Sequence, residues 1–303
     1  MTHRRGAIAL AILLAAAAAL SLLHVLAALP KPVIRAQSRP LQVLPELPEL
    51  SAARLAALPE ARYDAVIAAL LPAEGPAEAD TAYRLRKDAV LYAADRTTPV
   101  ARLAARNFLG EPSVVVPVEH IGDWLRVLTP ARQRLPSDSA GTDPAGPDPA
   151  STDPAGTDSF GALAPAQTSA WLRADSLSSP TILVNRIIVS VSAQTLSIIG
   201  VGSRTWPVGV GAPGTPTPIG VTGYLEARYR DAAQGQAEHP VQLTSLHSTA
   251  ADEPFGGNDG GLIGIHFQAS ASGAVSHGCI RVPPEAITAV NALPLGTLIT
   301  IKK

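Results

Sequence analysis

Cys279 is the only cysteine in 303 residues. It stands in Ser276-His277-Gly278-Cys279-Ile280-Arg281-Val282, with a second histidine upstream in Ile263-Gly264-Ile265-His266. A thiol attacks as its thiolate, so it needs a base or a cation beside it, and histidine is the usual supplier near neutral pH. These residue types point to a cysteine nucleophile served by a histidine. A lone cysteine is more often a buried, inert thiol, but the flanking histidines turn the reading toward chemistry. His247, His266, His277 and Cys279 fit no standard zinc spacing, so the residues call for no metal and no cofactor.

Export makes the thiol harder to dismiss. His3-Arg4-Arg5 precedes an uncharged run from Gly6 to Leu29. That run exceeds a signal-peptide core of about 7–15 residues and suffices for a spanning helix of about 20. Residues 1–30 are therefore read as a signal anchor or transmembrane helix with its arginines in the cytoplasm. Ala27 and Ala28 also permit cleavage. The rest of the chain is expected outside the cell membrane, in the wall or periplasm. Exported cysteines tend to pair, and a single one cannot form an internal bridge and risks oxidation unless it has a use. A net charge of −1 gives no electrostatic case for nucleic acid as a partner.

Residues 31–80 read as a proline-rich stalk and short helices. Ser51 is a candidate N-cap, and Leu55, Leu58, Ala61, Ala65, Val66, Ala69 and Leu70 recur at roughly helical spacing. Residues 81–178 carry short strand-like runs divided by turn residues: 90–92, 100–103, 113–118 and 124–127. The run Gly122-Asp123-Trp124-Leu125-Arg126-Val127 resembles bacterial SH3-like domains, which implies a small β-barrel. Within it, aspartates at 138, 143, 148, 153 and 158 mark a repeat of the Thr-Asp-Pro-Ala-Gly kind. Such a segment cannot bury apolar surface and is expected to be a disordered acidic insertion at about 136–169. It lacks the glycine and closing glutamate of an EF-hand loop. Ala170-Trp171-Leu172-Arg173 then resumes the strand pattern.

From Thr181 the β pattern strengthens. Ile187–Ser192 and Thr195–Gly200 read as a hairpin. Prolines at 216 and 218 exclude a central strand and favour an extended, rigid loop. The residues now match a known pattern: Ser192-Ala193-Gln194-Thr195-Leu196, then 207–220 with its Thr215-Pro216-Thr217-Pro218, then the His266 run, then the Cys279 run. In that order they resemble the L,D-transpeptidases of bacterial cell walls, the YkuD-type catalytic domain, over most of residues 184–303.

The resemblance implies a mainly β fold: a β-sandwich catalytic domain over 180–303, preceded by the SH3-like domain and the membrane helix. It implies Cys279 as nucleophile and His266 as general base and acid, oriented by the Phe267 carbonyl. His277 would support the thiol, and the backbone at Gly278 would help form an oxyanion hole. Ser276, Arg281 and His247 are candidate substrate contacts, Arg281 being equally suited to a structural ion pair. The reaction implied is release of D-alanine from a tetrapeptide stem of peptidoglycan and formation of a 3→3 crosslink. Rivals are an L,D-carboxypeptidase or wall hydrolase using the same site, and a non-catalytic wall-binding scaffold. Two departures from the family pattern bear on the pocket: Phe267 replaces a glycine, and the segment between His266 and Ser276 is short. The stretch 225–262 is read as a lid or a surface loop.

Overall fold

A computed structural model describes residues 49–139, 164–250 and 259–303. The expected membrane helix, most of the stalk and nearly all of the aspartate repeat lie outside the described residues. Among the described residues, no helix is long and apolar enough to cross a membrane.

Ser51 caps α1 (Ala52–Ala56), its side chain accepting the Arg54 N–H. The helical spacing beyond Ala56 does not continue as helix. Pro59 lacks the N–H that an interior turn requires, and the backbone past it bridges strands instead, Glu60 to Arg102 and Val66 to Arg132. Ala61, Ile67 and Leu70 are buried in the core of those strands. The apolar spacing here recorded burial along a sheet.

That core lies among β1 (Leu71–Pro72), β2 (Thr81–Leu85), β3 (Ala89–Tyr92), β4 (Pro99–Leu103), β5 (Val114–Val115), β6 (Pro117–Ile121), β7 (Trp124–Thr129), β8 (Thr168–Arg173) and β9 (Leu177–Ile182). They form a sheet ordered β4-β3-β8-β7-β6, with β1 also on β8, and a smaller sheet ordered β5-β2-β9. β7 and β8 pair from Trp124↔Arg173 to Thr129↔Thr168. Strands from either side of residues 140–163 are thus direct neighbours. β9 pairs with β2 as far as Thr81↔Ile182, so the N-terminal sheets reach past the expected boundary at 178.

The second half contains β10 (Asn185–Ser190), β11 (Thr195–Gly200), β12 (Arg204–Pro207), β13 (Gly209–Gly211), β14 (Val221–Asp231), β15 (Gln236–His247), β16 (Leu262–Phe267), β17 (Gly273–Ser276), β18 (Ile280–Val282), α2 (Pro284–Asn291) and β19 (Leu298–Lys302). These ten strands form one continuous sheet ordered β12-β11-β10-β19-β14-β15-β16-β18-β13-β17. The β14–β15 hairpin keeps it continuous. The start of β14 pairs with β19 through Val221–Tyr224, and its remainder pairs with β15. The stretch expected to be a lid or loop is therefore mostly long strand. Leu196 of β11, Val210 of β13, Ile265 of β16 and Ile280 of β18 meet in one core, so both halves of the strand order close on the same interior. Pro284, with its φ preset for the first helical turn, starts α2, which buries Ala286, Ile287 and Val290 in that core.

All described residues belong to one compact unit, Pro48–Lys303. Ala82, Val116 and Leu128 from the N-terminal strands pack with Tyr224 and Leu298. Gly296 sits at this seam with φ 91°, and a Cβ there would fall 2.5 Å from that of Ala82, so both backbone and contact demand glycine.

Glu226 occupies the irregularity between Leu225 and Ala227 and is 7% exposed. Its Oε2 has no hydrogen-bond partner among the described residues, and burial pushes its carboxyl up to about 8. Between its ordinary value of 4.5 and about 8, the folded protein holds a proton that the unfolded chain has released. This site therefore lowers stability as pH rises through that window, by up to about 1.4 kcal/mol per unit. Urea unfolding of wild type and Glu226→Gln from pH 5 to 8.5 should show the variant gaining on wild type as pH rises. Parallel curves would contradict the assignment.

Candidate active site

Cys279 lies just before β18, and His266 lies in β16. These strands run parallel with Ile265 opposite Ile280, so both reactive side chains flank one cross-strand pair and line one pocket of about 500 Å³.

The Cys279 turn is held from several directions. Gly278 has φ 107°, and a Cβ there would lie 3.0 Å from Ile263 Cδ1. The Thr215 hydroxyl donates to the Ser276 carbonyl at 2.8 Å, and the Thr217 hydroxyl donates to the Gly278 carbonyl at 2.7 Å. Thr217 also accepts the Gly211 N–H at 2.8 Å. Within the turn, Ser276 Oγ donates to the Cys279 carbonyl and accepts the Gly278 N–H at 3.1 Å. The Thr-Pro-Thr-Pro loop is thus a clamp on the Cys279 turn, a role its sequence did not disclose.

His266 donates from Nδ1 to the Phe267 carbonyl at 3.0 Å, leaving Nε2 for proton exchange. The same carbonyl accepts Gln236 Nε2 at 2.8 Å. Gln236 lines the pocket, is 5% exposed and has no partner for Oε1 among the described residues. No motif signalled it; only the fold of β15 over β16 brings it to His266. The Phe267 ring stacks beside His239 at 5.0 Å and packs on the core. The Phe267 side chain therefore packs on the core, while its carbonyl holds the His266 ring.

The thiol accepts the Gly264 N–H at 3.4 Å and faces the Leu262 carbonyl at 3.8 Å. Burial pushes its pKa up, against smaller opposing effects of that N–H and the Arg281 charge. Burial also pushes the His266 imidazole down, and Arg281 adds to this while the Phe267 bond opposes it. Both shifts favour a neutral thiol beside a neutral imidazole.

The other candidates divide. Arg281 is opposite His266 in the β16–β18 register, and its Nε has no hydrogen-bond partner among the described residues. His277 is exposed and is not part of the pocket lining. Three expectations are corrected. Ser276 is 3% exposed, with its hydroxyl committed to the turn, so it is not placed to hold substrate. The Gly278 N–H, expected to serve an oxyanion hole, is already bonded to Ser276. His247 is 1% exposed, its Nε2 bonded to the Tyr63 carbonyl at 2.9 Å, and it does not line the pocket. Burial, with the Arg132 charge, pushes its imidazole down to about 3. It is a structural pin.

A raised thiol pKa means that the thiolate fraction at pH 7 is below that of a free cysteine. Iodoacetamide should label Cys279 more slowly than glutathione at pH 7, with a rate still climbing above pH 9. A plateau near neutrality would show a preformed thiolate. Gly278→Ala should cost about 1–3 kcal/mol of stability, read as a lower urea midpoint.

Residues 184–301 match the family model described as YkuD, L,D-transpeptidase catalytic domain. Among solved structures, the chain is similar to Mycobacterium tuberculosis L,D-transpeptidase 1, at 20% identity over 45% of this chain and 78% of that one, TM-score 0.27. An L,D-transpeptidase from M. tuberculosis H37Rv matches at 16% identity over 78% and 98%, TM-score 0.32. The catalytic domain of an Enterococcus faecium L,D-transpeptidase matches at 21% over 39% and 95%, TM-score 0.26. No curated protein matches the chain. The matched segment, 184–301, contains both Cys279 and His266.

Proposed function

We propose that the protein is a peptidoglycan L,D-transpeptidase that works through a thioester on Cys279. One observation carries the reading: the single thiol shares a pocket with an imidazole already oriented through Nδ1, inside the segment matched to this family. The S–H turns from the Leu262 carbonyl toward His266 Nε2, which takes its proton as Sγ attacks the carbonyl of the third stem residue. The Cys279 N–H, rather than the committed Gly278 N–H, supports the developing oxyanion. His266 returns the proton to the departing D-alanine amine as the C–N bond breaks. A side-chain amine of a neighbouring stem then attacks the thioester, making a 3→3 crosslink and restoring the thiol. The Arg281 charge favours thiolate at Cys279 and neutral imidazole at His266, and its guanidinium is available to a substrate carboxylate.

The substrate partners in this reading are donor and acceptor stem peptides. The apolar run from Gly6 to Leu29 would place the site outside the membrane, facing the wall.

Incubation of the full chain with disaccharide-tetrapeptide, followed by mass spectrometry, tests the proposal. Expected are a thioester adduct on wild type, none on Cys279→Ala, and a crosslinked dimer as product. Tripeptide as the sole product would make the enzyme a carboxypeptidase, and an unmodified wild type would end the enzymatic reading.

A further inference from the structure

The pocket that holds Cys279 and His266 is not closed by the family-matched segment. Tyr63, Phe108 and Leu109 line it from the N-terminal part of the chain, outside residues 184–301. Tyr63 and Phe108 stack on one another with ring centroids 4.6 Å apart, tilted by 49°. Both are only half-buried, and Leu109 is 40% exposed. Among the described residues, an apolar surface that is still partly exposed thus lines the same pocket as Cys279 and His266.

Each part of that surface is fixed by bonds reaching elsewhere. The Tyr63 carbonyl accepts from buried His247 at 2.9 Å. Close by in sequence, Ala65 and Ile67 exchange backbone bonds with Arg132 at 2.9 and 2.8 Å. Arg132 in turn donates to the carbonyls of Ser248 at 3.1 Å and Gly261 at 3.2 Å, and to that of Gly260. The turn carrying Phe108 is tied by Asn107 Oδ1, which accepts the N–H groups of Leu109 and Glu111 at 3.0 Å each. Preorganised aromatic surface beside reactive groups is what a binding site needs, because little order remains to be imposed on binding.

We infer that Tyr63 and Phe108 form a specificity wall for the peptide part of the substrate, packing on the uncharged face of the stem within two or three residues of the carbonyl bound at Cys279. The choice of peptide over sugar follows from reach. A space of 500 Å³ is about 8 Å across, roughly two extended residues, and the sugar lies beyond the stem's first residue. The inference takes the identity of its ligand from the transpeptidase reading.

The test separates the two. In the full chain carrying Cys279→Ala, affinity for free tetrapeptide is measured by calorimetry, with and without Tyr63→Ala or Phe108→Ala, alongside thermal melting. Each aromatic truncation should weaken binding about tenfold, the size of one lost aromatic contact, with the melting transition retained. If Tyr63→Ala does not fold, Phe108→Ala decides alone, since its loop is partly exposed. An affinity within twofold of the parent overturns the wall, as does failure of the parent to bind tetrapeptide. A loss seen with disaccharide-tetrapeptide but not with free tetrapeptide also overturns it, in favour of sugar stacking. Failure of wild type to acylate, by contrast, removes the catalytic reading and leaves these affinities to judge the wall.

Discussion

The site depends on a turn that its own backbone would not keep. Gly278 occupies a left-handed conformation, and the Ser276 and Gly278 carbonyls beside it are met by buried hydroxyls. An unbonded carbonyl in that position would cost about 1–3 kcal/mol. Thr215 and Thr217 prevent this because alternate residues of an extended segment project to the same side. Pro216 and Pro218 hold the segment extended. The clamp thus explains why the motif alternates threonine and proline: one residue type supplies hydroxyls, and the other keeps them facing the same turn. It also commits the Gly278 N–H to Ser276, so the fixed position of Sγ is obtained by using a donor that catalysis could otherwise have employed.

A second constraint is electrostatic. Burial raises the thiol and lowers the imidazole, and the one cation that acts on both, Arg281, pulls in opposite senses: it favours thiolate but disfavours imidazolium. The resting pair is therefore neutral. A neutral thiol is a poor target for oxidants, which suits a cysteine with no second cysteine to pair with. In the proposed reaction it means that proton transfer to His266 accompanies attack, so the alignment of His266 matters more than its basicity. The Phe267 carbonyl, accepting from both His266 and Gln236, supplies that alignment.

The sequence disclosed what depends on local pattern. The His266 and Cys279 runs and the 187–200 hairpin could be read from motif order and strand alternation, and the bond from His266 to the Phe267 carbonyl was implied by the family resemblance. Contacts between distant segments escaped. Gln236 reaches His266 only because β15 lies beside β16, and Tyr63 reaches the pocket only because residues 60–67 bridge strands instead of forming a helix. His247 was misjudged for the same reason. A histidine near the site looks like a ligand contact in sequence, yet its burial beside Arg132 and its bond to Tyr63 could be known only from the fold. The stretch 225–262, expected to be a lid or a surface loop, instead contributes most of the β14–β15 hairpin.

His247 and Arg132 also tie the N-terminal part of the chain to the segment that carries Cys279 and His266. Arg132 remains charged although burial lowers it to about 10, and a buried guanidinium is tolerable only while acceptors surround it. Those acceptors, the carbonyls of Ser248, Gly260 and Gly261, lie on the approach to β16 and its histidine. Remove the N-terminal part and these carbonyls lose their donor, Tyr224 loses its cover, and the His247 Nε2–H faces no carbonyl. The segment matched to the family contains Cys279 and His266, but Arg132, outside it, bonds the carbonyls of the stretch leading to His266. The N-terminal part of the chain is therefore part of the pocket's construction, through Tyr63, Phe108 and Leu109, rather than a spacer that precedes it.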